Sequence, residues 1–561
     1  MKQSMSRYLK KYKGLFIINL IVMFIVEFLV RLVAIAMQII IDTAVYGNFA
    51  GMTIIARYII LYMISIVVFA HTELVLNHKL MRKVLKDLKN DLMNGFYNIS
   101  MMGFRGENSG KYISMMNNDV VEVEREYFGK MLSIFSSVFV IVIALSILFT
   151  ISPLLLVIQM ILSIPPLVFP LFFSKKLTKR KDSQMDALSK YNIRIKDLLS
   201  GFEVIKSYKK EDKAKEIHEQ VNEDVESKKY KFLYLKALID PVTANLAVIL
   251  QFTVYITAGF LVISSDLTVG QMSASLALSA TTVPHIHRII NSITAFKATK
   301  TITSRLLDFI DTEKKDFKQY DNGLTKAIEL KNVSFFYEEN KPTLKNINIK
   351  IEKGKKYAIV GPSGSGKSTL VKLILKYFDT YEGDILIDDI NIKEIDTTSM
   401  FAITHQDVFI FNDTISNNIS LFSGSNNDEE INEILNKLGL SPLIDSMENG
   451  IHTILKENGN NLSGGEKQRI SIARALFAKK SVLVFDEAMA NLDNNIALEI
   501  EKNLREIPNL TCISITHRLN KEVMEMYDEI FVLKDGVVCE SGTFDNLLKQ
   551  KGLLYEMYMN N

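Results

Sequence analysis

The chain has 561 residues, more than one ordinary domain holds, and its 48% hydrophobic and 23% charged content averages two unlike halves. A formal net charge of +3 leaves no electrostatic footprint for nucleic acid. The two cysteines, Cys512 and Cys539, stand in no CxxC or metal-ligand spacing, so they read as reduced thiols and not as a zinc site.

Lys2 to Lys13 is basic, and the apolar run behind it, Leu15–Ile41, is too long for the core of a cleavable signal. It predicts a first membrane helix behind a cytoplasmic segment. A bilayer core takes roughly 20 mostly apolar residues per helix, and six stretches qualify: about 15–41, 54–76, 131–151, 153–173, 240–264 and 269–296. The connections Asp42–Thr53, Ser152-Pro153 and Ser264–Gly270 carry no lysine or arginine, whereas 79–130 and 174–238 are rich in both. Basic loops stay inside, so the short connections face out and the long ones, with both termini, are cytosolic. Apolar residues recur at helical spacing through Val84–Tyr97 and Tyr191–Leu199, so the long connections are expected to extend the membrane helices into the cytoplasm.

Charges inside membrane helices are costly and mark interior or functional positions. Glu27 and Arg31 lie four apart on one helix face and are able to pair. His71 and Glu73 read as interfacial. The sixth stretch carries His285, His287 and Arg288 after Pro284, with Ser273, Ser275, Ser279, Thr281 and Thr282 before it. Glu27, Arg31, His285 and Arg288 are the candidate cavity residues; the competing expectation is an internal ion pair that only fixes packing.

The residue pattern then divides the chain into a membrane domain (1–311), a polar linker (312–326) and a soluble α/β domain (327–561). Strands are expected at Ala327–Phe336, Leu344–Ile351 and Tyr357–Val360, and a helix at Leu370–Tyr377. Between the last two stands Gly361-Pro362-Ser363-Gly364-Ser365-Gly366-Lys367-Ser368-Thr369, which matches GxxxxGK[ST]. Glycines let such a loop wrap close to phosphate oxygens, and backbone N–H groups at the helix start face the anion. Lys367 is then expected to reach the β and γ phosphates of ATP, and Ser368 to hold Mg²⁺. A second apolar strand, Ser481–Phe485, ends in Asp486 and Glu487. Asp486 suits Mg²⁺ and Glu487 suits the polarising of an attacking water.

Between these anchors lies Asn461-Leu462-Ser463-Gly464-Gly465-Glu466-Lys467-Gln468-Arg469. LSGGEKQR before such a strand resembles the signature of ATP-binding-cassette (ABC) proteins, and the membrane half is similar to that of six-helix, domain-swapped ABC exporters. The resemblance implies that Tyr337 stacks on adenine. Gln406, in Thr404-His405-Gln406-Asp407, would be the Q-loop glutamine on Mg²⁺. Asp493, in Asn491-Leu492-Asp493, falls in the D-loop, and His517, in Ile515-Thr516-His517-Arg518, would be the switch histidine on the γ-phosphate. Asn108-Ser109-Gly110…Asn118-Asp119 and Leu199–Tyr208 resemble the regions that press on the ATPase domains. Within the second, Glu203, Lys206, Ser207 and Tyr208 would couple to the partner's domain, and Glu457 would follow that contact. His405 stands where the family commonly has proline, and Met489 where it has a small polar residue; neither change removes a catalytic group.

The resemblance also implies that Leu462, Ser463, Gly464, Gly465 and Glu466 of one chain complete the ATP site of another. Glu487 and LSGGE are both intact, which favours a homodimer with two active sites over a heterodimer of halves. The expected activity is ATP-driven export of an amphipathic or hydrophobic cargo (peptide, lipid or drug) across a bacterial cytoplasmic membrane. With no cysteine-peptidase domain ahead of the first span, a peptide cargo would arrive processed. An importer built on the exporter fold and an ATP-gated channel or sensor are the alternatives.

Overall fold

The computed structural model of the chain describes residues 4–99, 101–105, 109–312, 317–338, 341–423, 427–489 and 492–560. It separates into two compact units: Met1–Asn98 with Asn108–Thr312, and Ile99–Glu107 with Glu313–Asn561.

The first unit is helical. Its long helices are α1 (Lys13–Val45), α2 (Phe49–Tyr97), α3 (Gly110–Ile151), α4 (Pro153–Ser200), α5 (Glu211–Ile263) and α6 (Val269–Ala298), followed by the shorter α7 (Lys300–Ile310). The first five are long and apolar enough to cross a membrane. The predicted sixth span is helical along its whole length but falls short in apolarity. The reason is visible in its packing: Ser275, Ser279, Thr282 and Ser292 are buried. A helix covered by others has little need of an apolar exterior. The hydroxyls of Ser275 and Thr282 bond back to the carbonyls of Gln271 and Leu278, which satisfies them without a partner helix.

With 49 residues, α2 is about 74 Å long, more than twice a bilayer core of roughly 30 Å. Its far end stays helical because Leu80, Val84, Leu88 and Leu92 repeat every four residues and are fully buried, against Leu9, Val123, Phe128 and Leu306 among others. The short connections are capped. Ser152 accepts from the Leu155 amide, with Pro153 in the first turn of α4. Thr268 and Gln271 form a capping box at the start of α6. Asp42, at the end of α1, joins that cap: its carboxylate accepts from Thr268 Oγ1 at 2.8 Å and from the Gly270 amide at 2.9 Å. A Cβ on Gly270 would stand 2.4 Å from the Gln38 carbonyl oxygen, so the close approach of α1 and α6 requires glycine there.

In the second unit we number nine strands: β1 (Ala327–Glu338), β2 (Lys341–Glu352), β3 (Lys356–Val360), β4 (Glu382–Ile387), β5 (Phe401–Thr404), β6 (Val482–Asp486), β7 (Thr511–Ile515), β8 (Glu529–Lys534) and β9 (Val537–Gly542). Among the described residues, six form one sheet in the order β9-β8-β3-β7-β6-β5, parallel except for the β8–β9 pair. The others form an antiparallel sheet around β2-β1-β4. Strands β3 and β6 read as continuous apolar runs because helices and the second sheet cover both faces; β3 is buried at every position. Parallel strands place all their C-terminal ends on one edge, where open α/β sheets bind ligands.

Candidate ATP site and membrane cluster

The loop after β3 leads directly into helix α8 (Lys367–Ile374). The helix starts three residues earlier than predicted because Gly366, at φ +103°, turns the chain into it at once. Lys367, Ser368 and Thr369 therefore occupy its first turn, where the N–H groups lack intrahelical partners. Gly361 has φ +151°, and a Cβ there would meet the Leu533 carbonyl oxygen at 2.1 Å. Gly364, at φ +80°, has no atom within 4 Å of where a Cβ would be, so the crest of the loop is open. Ser363 is exposed, whereas Ser365 is buried and its Oγ has no hydrogen-bond partner among the described residues. An open cradle, an orphaned hydroxyl and first-turn amides fit a polyphosphate. Lys367 is 6% exposed and folds its ammonium onto Gly361 O and Pro362 O, at 2.9 and 3.0 Å. Burial pulls its pKa below the usual lysine value, with Glu487 and Asp486 opposing.

The neighbouring strand ends converge on this loop. Ser368 Oγ donates to Asp486 Oδ1 at 3.3 Å, and burial lifts the Asp486 carboxyl above its ordinary range. Glu487 leaves β6 at φ +54°, and its N–H is held by Ile515 O of β7. Its carboxylate lies between two of the predicted site residues: Gln406 Nε2 donates to Oε2 at 2.8 Å, and His517 Nε2 is 3.1 Å from Oε1. Lys367, Ser368, Asp486, Glu487, Gln406 and His517 are thus assembled on one sheet edge. A hydroxyl, an amide and a carboxylate are hard oxygen donors that suit Mg²⁺ bound together with phosphate. Tyr337 is exposed; its ring packs edge-on against Phe335 and Phe378, and its hydroxyl lies 3.3 Å from Thr369 Oγ1.

The signature occupies the start of helix α9 (Gly464–Phe477). Leu462 is buried; Ser463 caps the helix, and Glu466 returns a bond to the Ser463 amide at 2.7 Å. Ser463, Gly464 and Glu466 bond or face outward within their own turn, with Gly465 following in the helix. Asp493 is exposed and caps helix α10 (Asn494–Arg505) by position, without a side-chain bond. Asn491, Asn108 and the Glu457 side chain lie outside the described residues. In the first unit, Phe202–Ser207 forms a short helix on which Glu203 is exposed and Lys206 pairs with Glu211 at 3.0 Å. Ser207 Oγ bonds to Glu203 O, and Tyr208 is 73% exposed.

The membrane unit holds a second polar cluster. Arg31 Nη2 pairs with Glu27 Oε2 at 3.2 Å, as their spacing predicts. Glu27 Oε1 also accepts from Ser136 Oγ at 2.6 Å, and His285 Nδ1 lies 3.3 Å from Ser137 Oγ. Arg288 is in electrostatic range of Arg31 and His285. It is exposed and has no ion pair among the described residues. Helices α1, α3 and α6 therefore bring all four predicted residues together. Sequence reasoning missed Ser136 and Ser137; two adjacent hydroxyls inside a span without a charged residue were the available signal.

A family model described as ABC transporter matches residues 344–490, and one described as ABC transporter transmembrane region matches residues 16–284. An ATP-dependent lipid A-core flippase of Photobacterium profundum is 28% identical over 489 residues, 85% of this chain and 82% of the relative. A fatty acid ABC transporter ATP-binding/permease protein of Mycobacterium bovis is 26% identical over 486 residues, 85% of this chain and 76% of the relative. The solved structure of a bacterial Atm1-family ABC exporter with ATP bound shares the fold, with a TM-score of 0.84 over 98% of this chain and 99% of that one at 21% identity.

Proposed function

The chain belongs to the ABC transporter family, its transmembrane region and ATPase domain fused in one polypeptide, and from that premise we propose that it exports a lipid-like amphipath with an acidic headgroup from the cytosolic side of a bacterial inner membrane. It is an integral membrane protein whose ATPase is coupled to transport. The observation that carries the ATP-driven part of the proposal is Glu487 held between Gln406 and His517 beside the Lys367 loop.

In this reading the first-turn amides of α8 and the Lys367 ammonium bind the β and γ phosphates. Ser368, Gln406 and Asp486 hold Mg²⁺, which neutralises charge on the phosphate oxygens. Glu487 takes the proton of the attacking water, and Gln406 and His517 orient its two oxygens. His517 donates to the γ-phosphate, and Tyr337 stacks on adenine. The helix start at Ser463–Glu466 offers its amides to the ATP of a second copy, so the working unit is a homodimer with two active sites. Glu203, Lys206, Ser207 and Tyr208, with Glu457, carry the signal between the halves.

The cargo follows from the membrane cluster. Glu27 already has Arg31 and Ser136 as partners. Arg288 is the cation an acidic headgroup would meet, and α1 and α3 of the same cluster are apolar. The relatives' names, lipid A-core and fatty acid, belong to amphipaths of this kind. The test is ATPase activity of the purified chain in lipid, with acidic and neutral amphipaths as stimulants. Acidic ones are expected to stimulate, and Arg288→Ala to weaken their apparent affinity about tenfold or more; an unchanged affinity would sink the headgroup assignment. ATP-dependent accumulation in inside-out vesicles is expected for export, and its absence with active ATPase would reverse the direction.

A further inference from the structure

Behind the hydrolytic edge the second unit carries an acidic group that the reaction above does not use. Glu501 is on the inner face of α10, in series with Ala497, Ile500 and Leu504, which are all buried. A glutamate at that spacing belongs to the core side of the helix. Its Oε2 is buried without a hydrogen-bond partner among the described residues. The Tyr527 hydroxyl bonds to the carboxyl and also to Ser514 of β7.

Glu501 lines a space of about 30 Å³ with Lys356, Arg505, Cys512 and Tyr527, and borders two more. One, of about 70 Å³, is shared with Glu487, Ser514, His517 and Arg518. The other, of about 490 Å³, opens beside Asn494, Arg518 and Asn520. The one shared with Glu487 has room for ordered water. Arg518 stands between the two and follows His517 directly in the chain. Its Nη2 donates to the carbonyl of Leu492, in the segment that leads into α10. That bond ties the switch-histidine strand end to the start of α10.

We propose that Glu501 is a positioning residue for ATP hydrolysis, acting through Arg518 across the cavity it shares with Glu487 and His517. The inference rests on the assignment of Glu487 and His517 to the hydrolytic centre. A neutral Glu501 carboxyl leaves Arg518 on the Leu492 carbonyl. A carboxylate there is a stronger acceptor for a guanidinium than a neutral carbonyl. It draws Arg518 off Leu492, and with it the backbone that carries His517. Burial pushes Glu501 up to about 7, opposed by Arg518 and by the Tyr527 hydrogen bond. The two arrangements therefore exchange near neutral pH. The other ionisable groups around Glu501 are Glu487 from the end of β6 and Tyr527 ahead of β8 in the space shared with His517, and Lys356 from β3, Cys512 from β7 and Arg505 from α10 in the smallest space. Burial raises the Cys512 thiol to about 12 and Tyr527 well above its usual value, so neither titrates near neutrality.

The experiment is ATP hydrolysis by the full-length protein in lipid, with kcat and KM for ATP measured from about pH 6 to about pH 8.5. The wild type is expected to lose roughly threefold or more in kcat as pH rises through about 7, with little change in KM. Glu501→Gln keeps a neutral, isosteric group and is expected to abolish that limb. Tyr527→Phe removes a hydrogen bond that supports the carboxylate, so it is expected to move the limb to higher pH. A wild-type limb in Glu501→Gln, or a loss of activity that is the same at every pH, overturns the inference. Should Glu501→Gln fail to fold, an unmoved limb in Tyr527→Phe overturns it. Wild-type protein without ATPase activity at any pH would instead strike the assignment of the hydrolytic centre.

Discussion

The sheet edge of the ATPase unit and the interior of the helical unit both gather charged groups, but by different means. At the sheet edge each group comes from a segment whose neighbours fix it. Gly366 starts the helix that carries Lys367, and the Glu487 amide is pinned to Ile515 O. In the helical unit, Glu27, Ser136 and His285 come from three helices more than a hundred residues apart, and little but side-chain packing orients them. Backbone-supplied sites leave a contiguous mark in a sequence. Side-chain sites assembled across helices leave scattered residues.

The largest expected effect tests the backbone-built edge. Glu487→Gln should keep the loop and the fold but lower ATP hydrolysis on the order of a thousandfold, because it removes the proton acceptor and keeps the shape. ATP binding, read by nucleotide titration, should be nearly unchanged. If binding falls in parallel with turnover, Glu487 supports the loop itself and the edge is held by its side chains as well as its backbone.

This contrast also explains what was legible in advance. The strand ends, the phosphate loop and the signature cap were readable because each obeys a local rule: glycine at positive φ, serine ahead of a helix, acids at a strand terminus. The Glu27–Arg31 pair was readable because i,i+4 spacing puts two residues on one helix face. Its link to Ser136, and that of His285 to Ser137, depends on how α3 packs, which no local pattern encodes. The predicted sixth span is helical throughout, with its serines and threonines dilute among apolar residues; only packing shows that Ser275, Ser279, Thr282 and Ser292 are turned inward. Glu501 had a sequence mark, an acid on the apolar stripe of α10, but nothing in the sequence places Arg518 or Tyr527 beside it.

The next effect tests the helical cluster. Arg31 and Glu27 have side chains only 9% and 16% exposed. Breaking a shielded pair from one side leaves an uncompensated charge, so Arg31→Ala should lower stability by about 3–4 kcal/mol. Thermal unfolding in detergent would show it. Glu27→Gln combined with Arg31→Met removes both charges and should recover most of the loss. If the double variant is stable but loses stimulation by acidic amphipaths, the pair serves cargo as well as packing.

A smaller effect lies between the two regimes, in a side chain buried behind the backbone-built edge. Glu501 titrates at about 7 in the folded chain against 4.5 when free. Between those values the folded protein holds a proton that the unfolded chain has lost. Stability from this source is fully present below about pH 4.5 and declines as pH rises to about 7, by roughly 2–3 kcal/mol once its partial exposure is allowed for. Denaturant unfolding should show that decline in the wild type and not in Glu501→Gln. Equal slopes in both would mean that the carboxyl relaxes into solvent.

The smallest structural effect separates the two uses of Ser463. In its own chain the hydroxyl caps α9, and losing a cap costs about 1 kcal/mol. Ser463→Ala should therefore lower stability by about that amount, a shift of a few degrees in Tm. Aspartate caps a helix about as well as serine, so Ser463→Asp should be nearly neutral for stability. It nevertheless sets a negative charge where a second copy's γ-phosphate is expected, and hydrolysis should fall far below that of the alanine variant. If aspartate and alanine lower activity equally, Ser463 acts through the fold of its own chain alone. If aspartate is stable and inactive, and mixing it with Glu487→Gln protein restores one working site per dimer, the signature of one chain serves the ATP of the other. That mixed dimer pairs an intact glutamate with an intact signature at one site only, an outcome that no arrangement confined to a single chain produces.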